Sequence, residues 1–238
     1  MTETIRKRVA ILISGRGTNM ARLIGAAEDP AYAAEIVGVI SDMPDAPGLV
    51  FAADKGISTI AVPRSDYASK EAHDGAIDAV LQELGAEIVC LAGYMRILTA
   101  RFVQSWEGRL INIHPALLPS FKGLDTHRRA LDAGVRIHGC TVHFVTAETD
   151  AGPVIAQAAV PVLTGDSEAD LSARVLKAED ELYPLALRLV AEGKVRMSDG
   201  RAIFGNMSES ARDGNARLFS PASWSDELDF EALARFTP

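Results

Sequence analysis

From residue 8 to residue 114 the chain alternates between short, continuous apolar runs and longer stretches in which apolar residues recur every third or fourth position. A run that is apolar throughout suits a strand covered on both faces, and the longer spacing suits a helix with one buried stripe. Runs at 8–13, 35–40, 57–62, 88–92 and 109–114 are therefore expected as strands. Between them Met20, Leu23, Ile24 and Ala27 mark one helix, and residues 46–55 form a short second helix stopped by Gly56. Ala72, Ala76, Ile77, Val80, Leu81 and Leu84 mark a third over 69–84, and a short fourth starts at Thr99. Strand and helix in alternation require right-handed crossovers. The fold class that follows is α/β: an open, mostly parallel twisted sheet, Rossmann-like, with helices on both faces and ligands beyond the carboxyl ends of the strands.

The alternation stops after a helix predicted at 126–133. Residues 137–146 and 154–162 read as consecutive strands joined through Asp150-Ala151-Gly152-Pro153, so antiparallel strands are added toward the C-terminus. Ser167 and Asp170 have capping-box spacing and open a long helix. Leu171, Val175, Ala178, Leu182, Leu185 and Leu189 fall on its apolar face, and Pro184 predicts a kink. Past Gly193 the periodicity fades into a short strand pair or coil, with a helix expected near residues 226–235.

Composition removes several function classes. A net charge of -8 lacks the basic field that nucleic-acid or anionic-membrane binding needs. No apolar run approaches the roughly 18 residues that crossing a bilayer takes. The two cysteines, Cys90 and Cys140, lie inside apolar runs and read as buried free thiols of a cytoplasmic protein.

Residues 111–119, Ile-Asn-Ile-His-Pro-Ala-Leu-Leu-Pro, hold the densest chemistry. Asn112 and His114 alternate with isoleucines and so share a strand face, roughly 7 Å apart. Pro115 keeps His114 extended at the strand end. An amide donor and a general acid or base are thereby aimed at one place; equally, the two are a satisfied polar pair. Asp150 strengthens the first reading, because a carboxylate beside an imidazole orients it, although Asp before Gly-Pro also serves as a plain turn residue. His143, inside a strand, is a core histidine or a partner standing behind the pair. His73 looks exposed, and His127 and His138 look like helix and strand-edge residues.

Gly15-Arg16-Gly17-Thr18-Asn19 joins the first strand to a helix N-terminus, where free amides suit a phosphate. Met20 stands where a dinucleotide fingerprint wants glycine, and the lysine of a P-loop is missing. Asp42, ending the second strand, occupies the place of a ribose-binding acid, and Thr18 and Asn19 also suit plain helix caps. Glu179 sits just off the apolar face of the long helix and reads as a solvated flank. Arg96 pairs with an acidic ligand or with a nearby carboxylate. The five histidines and two cysteines show no metal-ligand spacing, so no metal is expected.

Four segments, in order, resemble the phosphoribosylglycinamide formyltransferase family, the folate-dependent glycinamide ribonucleotide transformylases of purine synthesis. They are Ile13-Ser14-Gly15-Arg16-Gly17-Thr18-Asn19, Leu91-Ala92-Gly93-Tyr94-Met95-Arg96-Ile97-Leu98, Asn112-Ile113-His114-Pro115-Ala116-Leu117-Leu118-Pro119, and His143-Phe144-Val145 leading to Asp150-Ala151-Gly152-Pro153. The likeness runs in register over residues 9–196. It implies one formyltransferase domain over residues 1–196, with a phosphate-binding half over 1–105 and a folate and catalytic half over 106–196, followed by an extension of unknown role at 197–238. It implies a catalytic trio of Asn112, His114 and Asp150, with His143 behind it. Ribonucleotide contacts carry over to Gly17, Thr18, Asn19, Leu176, Lys177, Ala178 and Glu179. Folate contacts carry over to Met95, Arg96, Ile97, Leu98, Asn112, Thr146, Ala147, Glu148, Thr149 and Asp150, and to Lys70, where arginine is a familiar alternative. A cis Leu118-Pro119 bond is implied, and Arg16 and Thr18 depart conservatively from the family's common Asn and Ser.

The activity implied is transfer of the formyl group of 10-formyltetrahydrofolate, a co-substrate, to the amine of 5'-phosphoribosylglycinamide. Asn112 and His114 would stabilise the tetrahedral intermediate and Asp150 would assist. The implied partners are small molecules alone, without nucleic acid, membrane or metal, and the implied state is a cytoplasmic monomer or weak homodimer. The same trio serves formyltetrahydrofolate hydrolases and formyl-folate transferases acting on initiator tRNA or sugar nucleotides. An N-terminal regulatory domain is expected of the former and a large basic C-terminal domain of the tRNA enzyme. A non-catalytic phosphoribosyl-binding module is the rival from another class.

Overall fold

The computed structural model describes residues 6–205. Seven strands form one sheet: β1 (Lys7–Ile13), β2 (Ala34–Ser41), β3 (Thr59–Ala61), β4 (Ile88–Leu91), β5 (Leu110–His114), β6 (Ile137–Phe144) and β7 (Val154–Pro161). Their spatial order is β3-β2-β1-β4-β5-β6-β7. The first five strands run parallel, while β6 is antiparallel to β5 and β7 to β6. The mostly parallel sheet with antiparallel additions is the one the alternation predicts. Strand order reverses between β1 and β4, which leaves a crevice at their carboxyl ends. The loops after these two strands meet there: Ser14 N donates to Gly93 O at 3.1 Å.

The helices are α1 (Thr18–Ala27), α2 (Pro47–Asp54), α3 (Lys70–Glu83), α4 (Ala100–Ser105), α5 (Thr126–Asp132) and α6 (Glu168–Ala191). Alternate residues of β1 divide between two cores. Val9, Ile11 and Ile13 join Leu23 of α1, Leu49 of α2 and Val175 of α6. Ala10 and Leu12 join Ile77 and Leu81 of α3 and Phe102 of α4. Both faces of the sheet are therefore covered, which is why its central strands are apolar throughout.

α6 opens on the expected capping box between Ser167 and Asp170 and runs as one helix through Pro184. Its buried stripe differs from the apolar one. Leu185 is 52% exposed, whereas Glu179 and Tyr183 are buried. At about 100° per residue, the buried positions Leu171, Val175, Glu179, Leu182, Tyr183, Ala186 and Leu187 centre near Glu179. The orientation of the helix follows its contacts with α1 and the sheet, and one carboxylate is buried as a result. His73 is also corrected: α3 turns His73 and Asp74 inward beside Ile77 and Leu81. His138 is buried as well, at the start of β6.

After α6, β8 (Val195–Ser198) and β9 (Arg201–Phe204) form an antiparallel hairpin. The helix expected near residues 226–235 lies outside the described residues. The Leu118-Pro119 bond is cis.

Candidate active site

Antiparallel pairing of β5 with β6 sets Asn112 directly opposite His143 and His114 opposite Thr141. Opposed side chains on one face of such a pair touch, and Asn112 Nδ2 donates to His143 Nε2 at 3.3 Å. His143 Nδ1 in turn donates to Phe144 O at 2.9 Å. A neutral imidazole has one donor and one acceptor, and this ring uses both. Burial holds the His143 pKa below its ordinary value, in keeping with a neutral ring, while Phe144 O and Asp150 pull it back up. The Asn112 amide is thus oriented from behind and retains a second hydrogen to donate.

His114 is buried at the strand end. Its Nε2 donates to Phe121 O at 3.0 Å, and its Nδ1 lies 3.4 Å from Asp150 Oδ2. Each ring nitrogen therefore faces an acceptor. Gly123 N donates to Asp150 Oδ2 at 2.9 Å, and Asp150 Oδ1 lies 3.9 Å from His143 Nε2. Asp150 itself has φ 51, in the left-handed region that aspartate tolerates better than most residues. The chain returns over β6 through Gly152, where a Cβ would fall 1.7 Å from Phe144 O, so no other residue fits.

At the other side of the crevice Gly17, with φ 69, turns the chain into α1. No side chain caps that helix, so Thr18 and Asn19 are not the plain caps their sequence allows. Asn19 Nδ2 instead donates to Glu179 Oε2 at 2.8 Å. Burial raises the Glu179 pKa and the Asn19 hydrogen bond opposes that rise. Leu176 and Ala178 are half-buried near it. Lys177 is exposed and, two residues before Glu179, points about 200° away from it. Gly48 N donates to Gly15 O at 3.1 Å, bringing α2 against the loop.

Ser14 ties the two loops together. Its Oγ accepts from Met95 N at 2.9 Å and donates to Asp42 Oδ1 at 2.6 Å, so Asp42 serves the loops. Met95 and Ile97 point outward, 67% and 66% exposed. Arg96, partly buried, turns inward and donates to His73 Nδ1 rather than to a carboxylate. Leu98 is buried, and Lys70 is the first residue of α3. Ala147, Glu148 and Thr149 are exposed beside Asp150, with Thr146 Oγ1 on Glu148 O at 3.2 Å and Lys122 Nζ on Glu148 Oε1 at 3.1 Å.

Residues 7–187 match the formyl transferase family profile. The chain belongs to the formyl transferase family. Phosphoribosylglycinamide formyltransferase of Escherichia coli is 44% identical over 194 residues, covering 82% of this chain and 92% of that protein. The trifunctional purine biosynthetic protein adenosine-3 of Gallus gallus is 49% identical over 201 residues, or 84% of this chain, which spans only 20% of that relative's length. The crystal structure of phosphoribosylglycinamide formyltransferase from Brucella melitensis is 59% identical with a TM-score of 0.76, covering 78% of this chain and 96% of that one. Among the described residues no cluster of His, Cys, Asp and Glu could hold a metal ion, and no helix is long and apolar enough to cross a membrane.

In this formyl transferase the groups that position the trio include several that the sequence does not flag. Phe121 O and Gly123 N are backbone atoms on one loop, and a backbone atom leaves no residue-type signature. Thr141 Oγ1 accepts from Leu118 N at 3.0 Å and donates to Ala116 O at 2.7 Å, while Gln157 Nε2 donates to Leu118 O at 2.9 Å. Polar residues inside apolar strands were the available signal for those two. Cys90 and Cys140 are free and buried as expected, and burial pushes each thiol up to about 12.

Proposed function

We propose that the chain transfers the formyl group of 10-formyltetrahydrofolate to the amine of 5'-phosphoribosylglycinamide, giving the formylated ribonucleotide in purine biosynthesis. The observation that carries this reading is the meeting of Asn112 and His114 on β5 with Asp150 from the loop after β6, one strand from the strand-order reversal, where a glycine loop opens a helix and an outward apolar loop follows β4. The family and its relatives support the reaction. Gly17, Thr18 and Asn19 would offer amides to the phosphate, and Glu179 would accept from the ribonucleotide's hydroxyls or amine. Met95 and Ile97 would cover the apolar rings of the folate, with Lys70 and the Thr146 to Asp150 segment toward its polar ends.

Asn112 and His114 donate to the formyl oxygen as the amine adds to the formyl carbon, where negative charge develops. The 3.4 Å between His114 Nδ1 and Asp150 is longer than a charge-assisted hydrogen bond, so that N–H is able to be shared with the oxygen. Asp150 orients the ring and relays the proton lost by the amine toward the departing folate nitrogen. The new amine–carbon bond replaces the folate nitrogen–carbon bond, and one proton changes nitrogen. The domain over residues 1–196 is the catalytic unit in this reading.

Purified protein is incubated with 10-formyltetrahydrofolate, with and without the ribonucleotide, and tetrahydrofolate release is followed. Release that depends on the ribonucleotide is the expected result. Release without it indicates a hydrolase, and inertness with ribonucleotide binding retained indicates a binding module.

A further inference from the structure

Behind the loop of residues 93–98 lies a buried polar cluster that formyl transfer does not use. His73 on α3 has no exposed surface, and its ring is boxed in. Nε2 lies 2.7 Å from Val62 O, Arg96 Nη1 hydrogen-bonds Nδ1, and the Tyr67 ring meets it edge-on with centroids 5.3 Å apart. A carbonyl oxygen only accepts, and a guanidinium only donates. Together these contacts select one tautomer, with the proton on Nε2 and the lone pair on Nδ1. Asp74, equally buried, approaches Nδ1 no closer than 3.9 Å and uses its other oxygen to accept from Thr99 N at 2.7 Å. The segment is therefore fastened at four points: Gly93 O on Ser14 N, Met95 N on Ser14 Oγ, the Arg96 side chain on His73, and Thr99 N on Asp74. With Arg96 drawn inward, its neighbours Met95 and Ile97 are left facing out.

We propose that His73 is a positioning residue: as the Nε2–H tautomer it accepts the Arg96 guanidinium and so sets the shape of the loop against which the folate lies. The last clause rests on the function proposed above; the tautomer and the contact do not. The test uses two substitutions that each keep half of the ring's hydrogen bonding. His73→Asn keeps an acceptor where Nδ1 stood and loses the donor to Val62 O. His73→Gln keeps a donor where Nε2 stood and loses the acceptor for Arg96. His73→Gln should raise KM for 10-formyltetrahydrofolate roughly tenfold with little change in kcat, and His73→Asn should lie closer to the parent. In an Arg96→Ala background His73→Gln should add no further rise, since coupled residues are not additive.

Nitrogen-15 NMR of histidine-labelled parent protein reads the tautomer directly, and the His73 signals are identified as those missing from whichever variant folds. A protonated Nε2 with an unprotonated Nδ1 is the expected pattern. A doubly protonated ring, an Nδ1–H tautomer, or equal KM changes in the two variants overturns the proposal. If the parent transfers no formyl group, the functional reading fails, while the NMR arm still decides the tautomer and its contact.

Discussion

Asn112 is held from behind by a histidine whose own donor is committed to the backbone, and that chain of fixed directions is what makes an amide useful to a reaction. Removing one such donor typically costs about 10²–10³ in turnover. Asn112→Ala and His114→Ala should each lose that much kcat while melting within a few degrees of the parent, as read by steady-state assay and thermal denaturation. A second residue-scale expectation concerns His138, which burial pushes down to about 4 from an ordinary 6.5. The unfolded chain takes up this proton first as pH falls. Stability held above about pH 6.5 is therefore lost progressively as pH drops through about 4. His127 and His143 are shifted the same way, each chiefly by burial. Melting temperatures measured at about pH 7 and about pH 5 should fall less for His138→Leu than for the parent, and an equal fall contradicts the assignment. The shared strand face of Asn112 and His114 was legible because strand alternation and proline fix where the two residues point. His73 and Glu179 were misread because their burial depends on partners far along the chain, Arg96 and Asn19, that no local pattern names.

At the scale of elements, periodicity located the seven strands of the large sheet and the six α-helices, whereas β8 and β9 lie where it fades and a strand pair or coil was all that could be expected. Boundaries were less legible: β6 stops at Phe144, and only Val145 N, on Leu110 O at 2.9 Å, still reaches β5 before the chain turns toward Asp150. The stripe of α6 was misplaced because hydrophobicity alone omits Glu179 from a face that α1 and the sheet bury. The cap of that helix has a local cause and a local cost. Ser167→Ala removes the acceptor for Asp170 N and should lower stability by about 1 kcal/mol, a drop of about 2–4 °C in melting temperature. Gly48 tests a joint between elements. A Cβ there would sit 2.5 Å from Ile13 Cδ1 and 2.9 Å from Gly15 O. Gly48→Ala should therefore push α2 off the glycine loop and raise KM for the ribonucleotide more than KM for the folate, measured by varying each substrate in turn.

For the whole molecule, the reversal of strand order between β1 and β4 brings two loops of unlike chemistry side by side, and Ser14 joins them. The parallel half of the sheet supplies both loops. The antiparallel strands β6 and β7 bring His143 and Asp150 back onto the pair at the end of β5. The central claim is that the crevice joins two substrates, so that carbon leaves one and arrives on the other without passing through water. Formyl-labelled 10-[¹³C]formyltetrahydrofolate, mixed with the ribonucleotide and the enzyme and followed by carbon-13 NMR, reports where that carbon goes. The account predicts its appearance in the amide of the formylated ribonucleotide, one for each folate released. Label recovered as formate, with the ribonucleotide amine unchanged, would contradict it.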